Sequence, residues 1–155
     1  SKPLCNIWLT SASRKEQLSK RNLQKKIDNI EQLMKSIEPY EKERVAKIRE
    51  RITDALEKTL SIDYDKNRLE QELIYYIEKL DINEEKQRLA NHLKYFRETM
   101  AGGHGQGKKL GFIAQEMGRE INTTGSKSNH AEMQNIVVQM KDELEQIKEQ
   151  VLNVM

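Results

Sequence analysis

The chain has 155 residues, of which 34% are charged and 5% aromatic, and its formal net charge is +2. This profile is typical of long exposed helices rather than a β-sandwich or barrel, and so mild a charge does not by itself indicate a nucleic-acid partner. The single cysteine, Cys5, excludes an intrachain disulfide and a cysteine-based zinc cluster. Because no signal peptide or membrane-spanning apolar run is visible, we expect a cytoplasmic protein without a membrane partner.

Two amphipathic helices are predicted over residues 14–62, after a short linker or arm at residues 1–13. Apolar residues recur with spacings of three and four on both sides of Pro39, a residue best tolerated in the first turn of a new helix. This pattern predicts a long antiparallel hairpin whose stripes pack on each other or on another copy. The basic run from Arg14 to Lys26 is either a solvated face or a phosphate-binding surface. The apolar positions are Leu23, Ile27, Ile30, Met34, Ile37, Val45, Ile48 and Ile52.

Residues 63–155 predict a small helical bundle that follows the hairpin. The sequence after Asp81 has the form of a capping box with Glu84, so a fourth helix is expected from there to about Thr99. Arg88 and His92 are four residues apart and face one direction, either as ordinary surface groups or as part of a functional set. The glycine-rich loop before Lys108 spells GxxxxGK, but Lys109 stands where a P-loop needs Ser or Thr, and a helix precedes it; we therefore reject an NTPase site.

The stretch 108–128 predicts a helix with two distinct faces. Leu110, Ile113, Met117 and Ile121 form the buried stripe, and Gly125 is expected to end the helix as a left-handed C-cap. Glu116 and Glu120 are one turn apart and could share a divalent cation, although this spacing is also common on charged helices. Asn129 with Glu132 predicts the start of a last helix with a clean heptad pattern. The outer face carries Lys109, Phe112, Glu116, Arg119 and Glu120.

The segment KKLGFIAQEMGREIN, followed by TGSKSN, closely resembles the C-terminal signature of the YicC-like family, bacterial stress-induced proteins described as endoribonucleases. Further resemblance lies upstream, at residues 68–72, 81–85 and 88–92, and the whole covers roughly residues 16–155. Gly111 stands where the family usually has an acidic residue, and Asn91 where it usually has serine. The resemblance implies RNA as partner, a higher homo-oligomer such as a hexamer, and a β-rich N-terminal domain that has no counterpart here.

These observations combine into an all-α fold and a metal-dependent endoribonuclease as the expected function. A carboxylate-held Mg²⁺ or Mn²⁺ at Glu116 and Glu120 could neutralise phosphate charge. Because histidine ionises near neutral pH, His92 is the expected general acid or base, ahead of His104 and His130. The alternative is a non-catalytic helical oligomerisation or RNA-binding module, which the heptad seams favour. The catalytic set is His92, Glu116, Arg119 and Glu120, and the RNA-binding set is Arg88, Lys108, Lys109 and Lys127.

Overall fold

Six helices account for most of the computed structural model, which describes residues 2–59, 66–103 and 105–154. No strand occurs in this described part, so the all-α prediction is confirmed. None of the described helices is long and apolar enough to cross a membrane. The predicted boundary near residue 62 and His104 lie outside the described residues. The helices are α1 (Lys2–Ser36), α2 (Glu38–Thr59), α3 (Lys66–Lys79), α4 (Asn83–Ala101), α5 (Gly107–Lys127) and α6 (Ala131–Val154).

The first helix is longer than the apolar pattern predicts and has a different main partner. It begins at Lys2 rather than near Arg14 and turns into α2 at Ile37, whose amide donates to the Met34 carbonyl oxygen at 3.2 Å. Its fully buried stripe packs chiefly on α6 and also on α4, whereas contacts with α2 are fewer. The seams of α1 and α6 therefore cover each other inside one chain, which the hairpin pattern alone did not indicate.

The core lies where α1, α4, α5 and α6 meet, around Phe96, Met117, Ile121 and Met140, all fully buried. Helix α5 does not end at Gly125 as predicted. It continues to Lys127, and Gly125 has no positive φ. A Cβ at position 125 would lie 3.1 Å from Cγ1 of Val137 on α6. Glycine is therefore needed there for close helix packing and not for a left-handed cap.

The helix starts also differ from the two predicted capping boxes. The Asp81 carboxylate accepts the Asn83 amide at 3.1 Å, but Glu84 pairs with Arg88 instead of returning to the backbone. At α6, Nδ1 of His130 accepts the amides of Glu132 and Met133 at 3.2 and 3.4 Å. His130, and not Asn129, therefore caps this helix. Histidine can do so because an unprotonated ring nitrogen accepts a hydrogen bond as a carboxylate does.

Three buried or half-buried cations join helices that are distant in sequence. Arg44 of α2 donates to the carbonyl oxygens of Leu80 (2.6 Å) and Lys127 (2.7 Å), which close the C-terminal ends of α3 and α5. Burial lowers the pKa of the Arg44 guanidinium, and the charges of Glu41 and Asp81 oppose that shift. Such groups at helix C-termini satisfy carbonyls that have no partner within the helix.

The other two cations fix α4 against the first two helices. Lys86 pairs with Glu41 and Glu38 of α2, and Arg97 pairs with Asp28 and Glu31 of α1. Burial works to lower the pKa of Lys86, but its hydrogen bonds to Glu41 and Glu38 outweigh this and raise it. The hydrogen bond from Arg97 lowers the pKa of Glu31. Helix α4 is thus fixed on one side by ion pairs, which leaves its other side to meet α5.

Candidate functional site

Helices α4 and α5 run antiparallel and meet along a line of polar and aromatic side chains. Nζ of Lys127 lies 2.7 Å from Oε1 of Glu85, Nε2 of His92 lies 4.0 Å from Oε1 of Glu120, and Nζ of Lys109 lies 5.0 Å from the centre of the Tyr95 ring. We call these three pairs the α4–α5 ladder. The residue numbers rise on α4 as they fall on α5, so the ladder spans most of both helices. Its middle pair joins two residues that the sequence predicts to be catalytic.

The middle pair combines a buried carboxylate with a partly exposed imidazole. The Glu120 side chain is 7% exposed and that of His92 is 28% exposed. The predicted position of Glu120 on the outer face of α5 is wrong, because α4 covers that flank of the helix. At 4.0 Å the two groups interact through charge when the imidazole is protonated. A carboxylate held at this position can orient the imidazole ring.

Glu116 lies one turn before Glu120 and has a different environment. Its side chain is half-buried, and its Oε1 lies 3.8 Å from Nη2 of Arg119, whose side chain is 74% exposed. Among the described residues no group of three or more His, Cys, Asp or Glu side chains is arranged to hold a metal ion. The two glutamates could still supply the one or two carboxylates that Mg²⁺ usually takes from a protein, with water completing its shell.

The four predicted RNA-binding cations do not gather at one place, although Lys108 and Lys109 are neighbours. Arg88 is exposed and pairs with Glu84 at 3.3 Å, and Lys108 is exposed near the start of α5. Lys127, at the opposite end of α5, donates to Glu85 and to the Asp81 carbonyl oxygen at 3.1 Å. Lys108 and Lys127 are separated by about 28 Å along the helix axis, from a rise of 1.5 Å per residue. A single phosphate group could therefore not contact both lysines.

The structure adds two features that the sequence analysis did not select. Tyr95 pairs with Lys109, and a groove of about 730 Å³ at the start of α5 is lined by Lys108, Lys109, Phe112, Gln115 and two glycines. Phe112 is 64% exposed although it is a large apolar residue. The sequence pattern does place Phe112 on the outer face, so its exposure could have been predicted from the sequence. The contact between Tyr95 and Lys109 depends on the pairing of α4 with α5, so the sequence could not indicate it.

Residues 37–155 match the family model for "Endoribonuclease YicC-like, C-terminal". Together with the all-helical fold and the ladder, this match defines the class: the chain belongs to the YicC-like family, as the resemblance indicated.

Two curated relatives agree with this assignment. The chain is 38% identical over 131 residues to "Probable endoribonuclease YicC" of Clostridioides difficile, which covers 82% of this chain and 44% of that protein. It is 33% identical over 126 residues to the protein of the same description in Haemophilus influenzae, covering 81% and 41%. The chain thus spans less than half the length of these relatives.

Proposed function

We propose that this chain forms the catalytic C-terminal part of an endoribonuclease and that RNA is cleaved at the middle of the α4–α5 ladder. The observation that carries the proposal is the approach of His92 to the buried carboxylate of Glu120. Membership of a family described as endoribonucleases supports the substrate class. A proton-transfer group held in a fixed orientation beside a buried acid is a common arrangement for acid–base catalysis.

In this proposal, each side chain has a chemical role that matches how deeply it is buried. His92 exchanges a proton with the attacking or leaving oxygen through Nδ1, since Nε2 is the nitrogen that lies beside Glu120. Glu120 stabilises the resulting imidazolium and keeps the ring in place. Arg119, which is exposed and directly precedes Glu120, neutralises the phosphate at which charge develops. Arg88, also exposed and one turn before His92 on α4, contacts a neighbouring phosphate.

A divalent cation, Mg²⁺ or Mn²⁺, is part of the proposal. Glu116 and Glu120 would hold it with waters, and when bound it would supply positive charge at the phosphate. The support is their spacing of one turn and the partial exposure of Glu116. Chelation is expected to abolish cleavage, and either cation is expected to restore it. Cleavage that continues at full rate in excess chelator would exclude the metal while leaving the acid–base assignment standing.

Self-association, up to a hexamer, is proposed through surfaces other than the seams of α1 and α6, since those two seams are buried within the chain. Exposed apolar side chains remain on α1, at Leu18, and on α6, at Val138 and Leu152. These surfaces favour contact with further copies. A cytoplasmic location remains part of the same proposal. Sedimentation of the purified chain at several concentrations measures the oligomeric state.

The central test is cleavage of an end-labelled RNA by the purified chain, alone and joined to the N-terminal region of its relatives, with Mn²⁺ or Mg²⁺. His92→Gln is expected to lower the rate by roughly 10²- to 10⁴-fold, the usual contribution of acid–base catalysis. Glu120→Gln should act in the same direction. Glu149→Gln, an exposed site on α6, is the matched control and should leave the rate unchanged.

The alternative, a non-catalytic oligomerisation or RNA-binding module, makes a different prediction in the same assay. Two of the seams that favoured it, those of α1 and α6, are buried inside the chain, which weakens its support. The stripe of Val45, Ile48 and Ile52 on α2 is only partly buried. If it were correct, RNA would bind with the usual salt dependence, but no cleavage would occur in any form of the protein. His92→Gln and Glu149→Gln would then be indistinguishable from wild type.

A further inference from the structure

The groove at the start of α5 combines an exposed ring with two cations. Phe112 follows Lys108 by four residues and Lys109 by three, so both lysines lie one turn away on neighbouring rows of the same helix. All three line the groove of about 730 Å³, together with Gln115. Lys109 is held over the ring of Tyr95 on α4, which keeps its ammonium group at the edge of the groove. The groove therefore presents one apolar face beside two positive charges, and the contact with Tyr95 positions that of Lys109.

This combination fits a nucleotide better than an apolar protein segment. Phe112 is 64% exposed, and its ring has no hydrogen-bonding group that would favour hydration. A base offers a π face of similar size, and the flanking phosphates complement Lys108 and Lys109. The base must be unpaired, because bases within a duplex are already stacked and are not accessible to a side chain. A hydrophobic protein partner would instead require a wider apolar surface than a single ring.

We propose that this groove binds an unpaired nucleotide of the RNA substrate, with its base stacked on Phe112 and the adjacent phosphates on Lys108 and Lys109. The proposal rests on the proposed function and makes it more specific: the substrate is single-stranded near the cleaved bond. Glu120 lies about 12 Å further along the α5 axis than Phe112, from eight residues at 1.5 Å each. A nucleotide held at Phe112 is therefore a near neighbour of the cleaved phosphodiester.

Gln115 is placed to distinguish one base from another. It follows Phe112 by three residues and lines the same groove. Its side-chain amide carries both donors and an acceptor, so it can bond to the edge of a base that is stacked on the ring. Replacing Gln115 by Ala should reduce any difference in affinity between oligo(A), oligo(C) and oligo(U), and should leave the average affinity little changed.

The experiment measures binding of a fluorescein-labelled 12-nucleotide single-stranded RNA to the full 155-residue chain, by fluorescence anisotropy in excess chelator so that no RNA is consumed. Phe112→Ala is expected to weaken binding by about fivefold or more, the range for one stacked base, and Phe112→Trp should restore it. Tyr75→Ala is the matched control: it removes an exposed ring that also lies near a lysine, Lys79, but on α3. It should change affinity by less than twofold.

Two further measurements separate stacking from charge. Lys109→Gln should lower the slope of log affinity against log salt by roughly 0.7, as expected when one phosphate contact on a single strand is lost. A blunt duplex of the same sequence should bind Phe112→Ala and wild type equally well. If Phe112→Ala behaves like Tyr75→Ala, or weakens duplex and single strand equally, the stacking site is wrong.

The same samples, supplied with Mn²⁺, test the proposed function separately. If wild type binds single-stranded RNA through Phe112 but never cleaves it, the catalytic proposal fails and the nucleotide site stands. If wild type cleaves RNA while Phe112→Ala binds and cleaves as well as wild type, the nucleotide site fails and the catalytic proposal stands. Absence of RNA binding by wild type would overturn the nucleotide site outright.

Discussion

Three glycines on α5, spaced by seven residues, make a graded test of how closely α5 packs on α6. A Cβ added at Gly111 would lie 3.9 Å from Val151, whereas one at Gly118 would lie 3.1 Å from Leu144 and one at Gly125 would lie 3.1 Å from Val137. In a helix interior, Gly→Ala is worth about 1 kcal/mol in intrinsic propensity at every one of these sites. Differences between the three variants therefore report the packing.

The expected order follows from what each new methyl group meets. Gly111→Ala makes an ordinary van der Waals contact, so the free energy of unfolding should rise by about 0.5–1 kcal/mol. Gly118→Ala presses on a terminal methyl of Leu144, which can move by a few tenths of an ångström, so we expect a change within about 0.5 kcal/mol. Gly125→Ala presses on a methyl of buried Val137, whose branched side chain is stiff. Overpacking costs about 1–3 kcal/mol, so this variant should lose about 1 kcal/mol net.

Urea unfolding followed by circular dichroism measures these differences, provided that the three variants share one m value with wild type. For a protein of this size, 1 kcal/mol corresponds to a change of about 2–4 °C in Tm. Gly111→Ala serves as the matched control, because it makes the same chemical change on the same helix face. If all three variants are stabilised equally, the close approach of α5 to α6 is absent and the packing argument is refuted.

Further predictions concern the cations that join the helices. Lys86→Met should lower the free energy of unfolding by about 1–3 kcal/mol at pH 7, because it leaves Glu41 without its partner. The folded-state pKa of Lys86 is raised, so its stabilisation of the wild-type protein is complete below about pH 10.5 and is lost at higher pH. Urea titrations across that pH range measure this change. Arg97→Gln should cost less than about 1 kcal/mol at pH 7, since Arg97 and its two carboxylate partners are all partly exposed to solvent. Its effect should fade as pH drops below about 4.5, because the pKa of Glu31 is lowered only in the folded state; a difference that persists at pH 2 would contradict this. His130→Ala removes the cap of α6 and should lower Tm by the equivalent of about 1 kcal/mol, whereas an unchanged Tm would exclude the capping role.

The helices themselves could be predicted from the sequence because burial repeats with the period of a helix. The stripes at Leu23 to Ile37 and at Met133 to Val151 are buried as expected. The partner of each stripe could not be predicted, because any two heptad stripes are complementary in the same way. The spacing of Gly111, Gly118 and Gly125 was visible in the sequence, and it marks the face that meets α6. Reading each glycine alone favoured a helix end at Gly125 instead.

The sequence allowed most residues of the candidate site to be selected, but not the contacts between them to be predicted. His92 and Glu120 were both selected from the sequence, yet their contact depends on the register between α4 and α5, which no spacing within one helix defines. Lys127 was selected for its charge, but Glu85 and a backbone carbonyl occupy its ammonium group. Phe112 was placed on the correct face without a role, because an exposed ring gains meaning only beside the groove that surrounds it.

Burial of Glu120 follows from the same packing that the glycines permit. Since α5 lies close to α6, its flank at position 120 lies below the surface and is covered by α4. A buried carboxylate without a cationic or hydrogen-bonding partner is costly, so we expect the imidazole of His92 to stabilise the fold in addition to its proposed catalytic role. His92→Gln is therefore expected to lower both the cleavage rate and the stability. Comparison at a temperature well below both transitions separates them: a rate loss that vanishes there would make His92 a structural residue, whereas a loss that persists with unchanged RNA affinity assigns it to the chemical step.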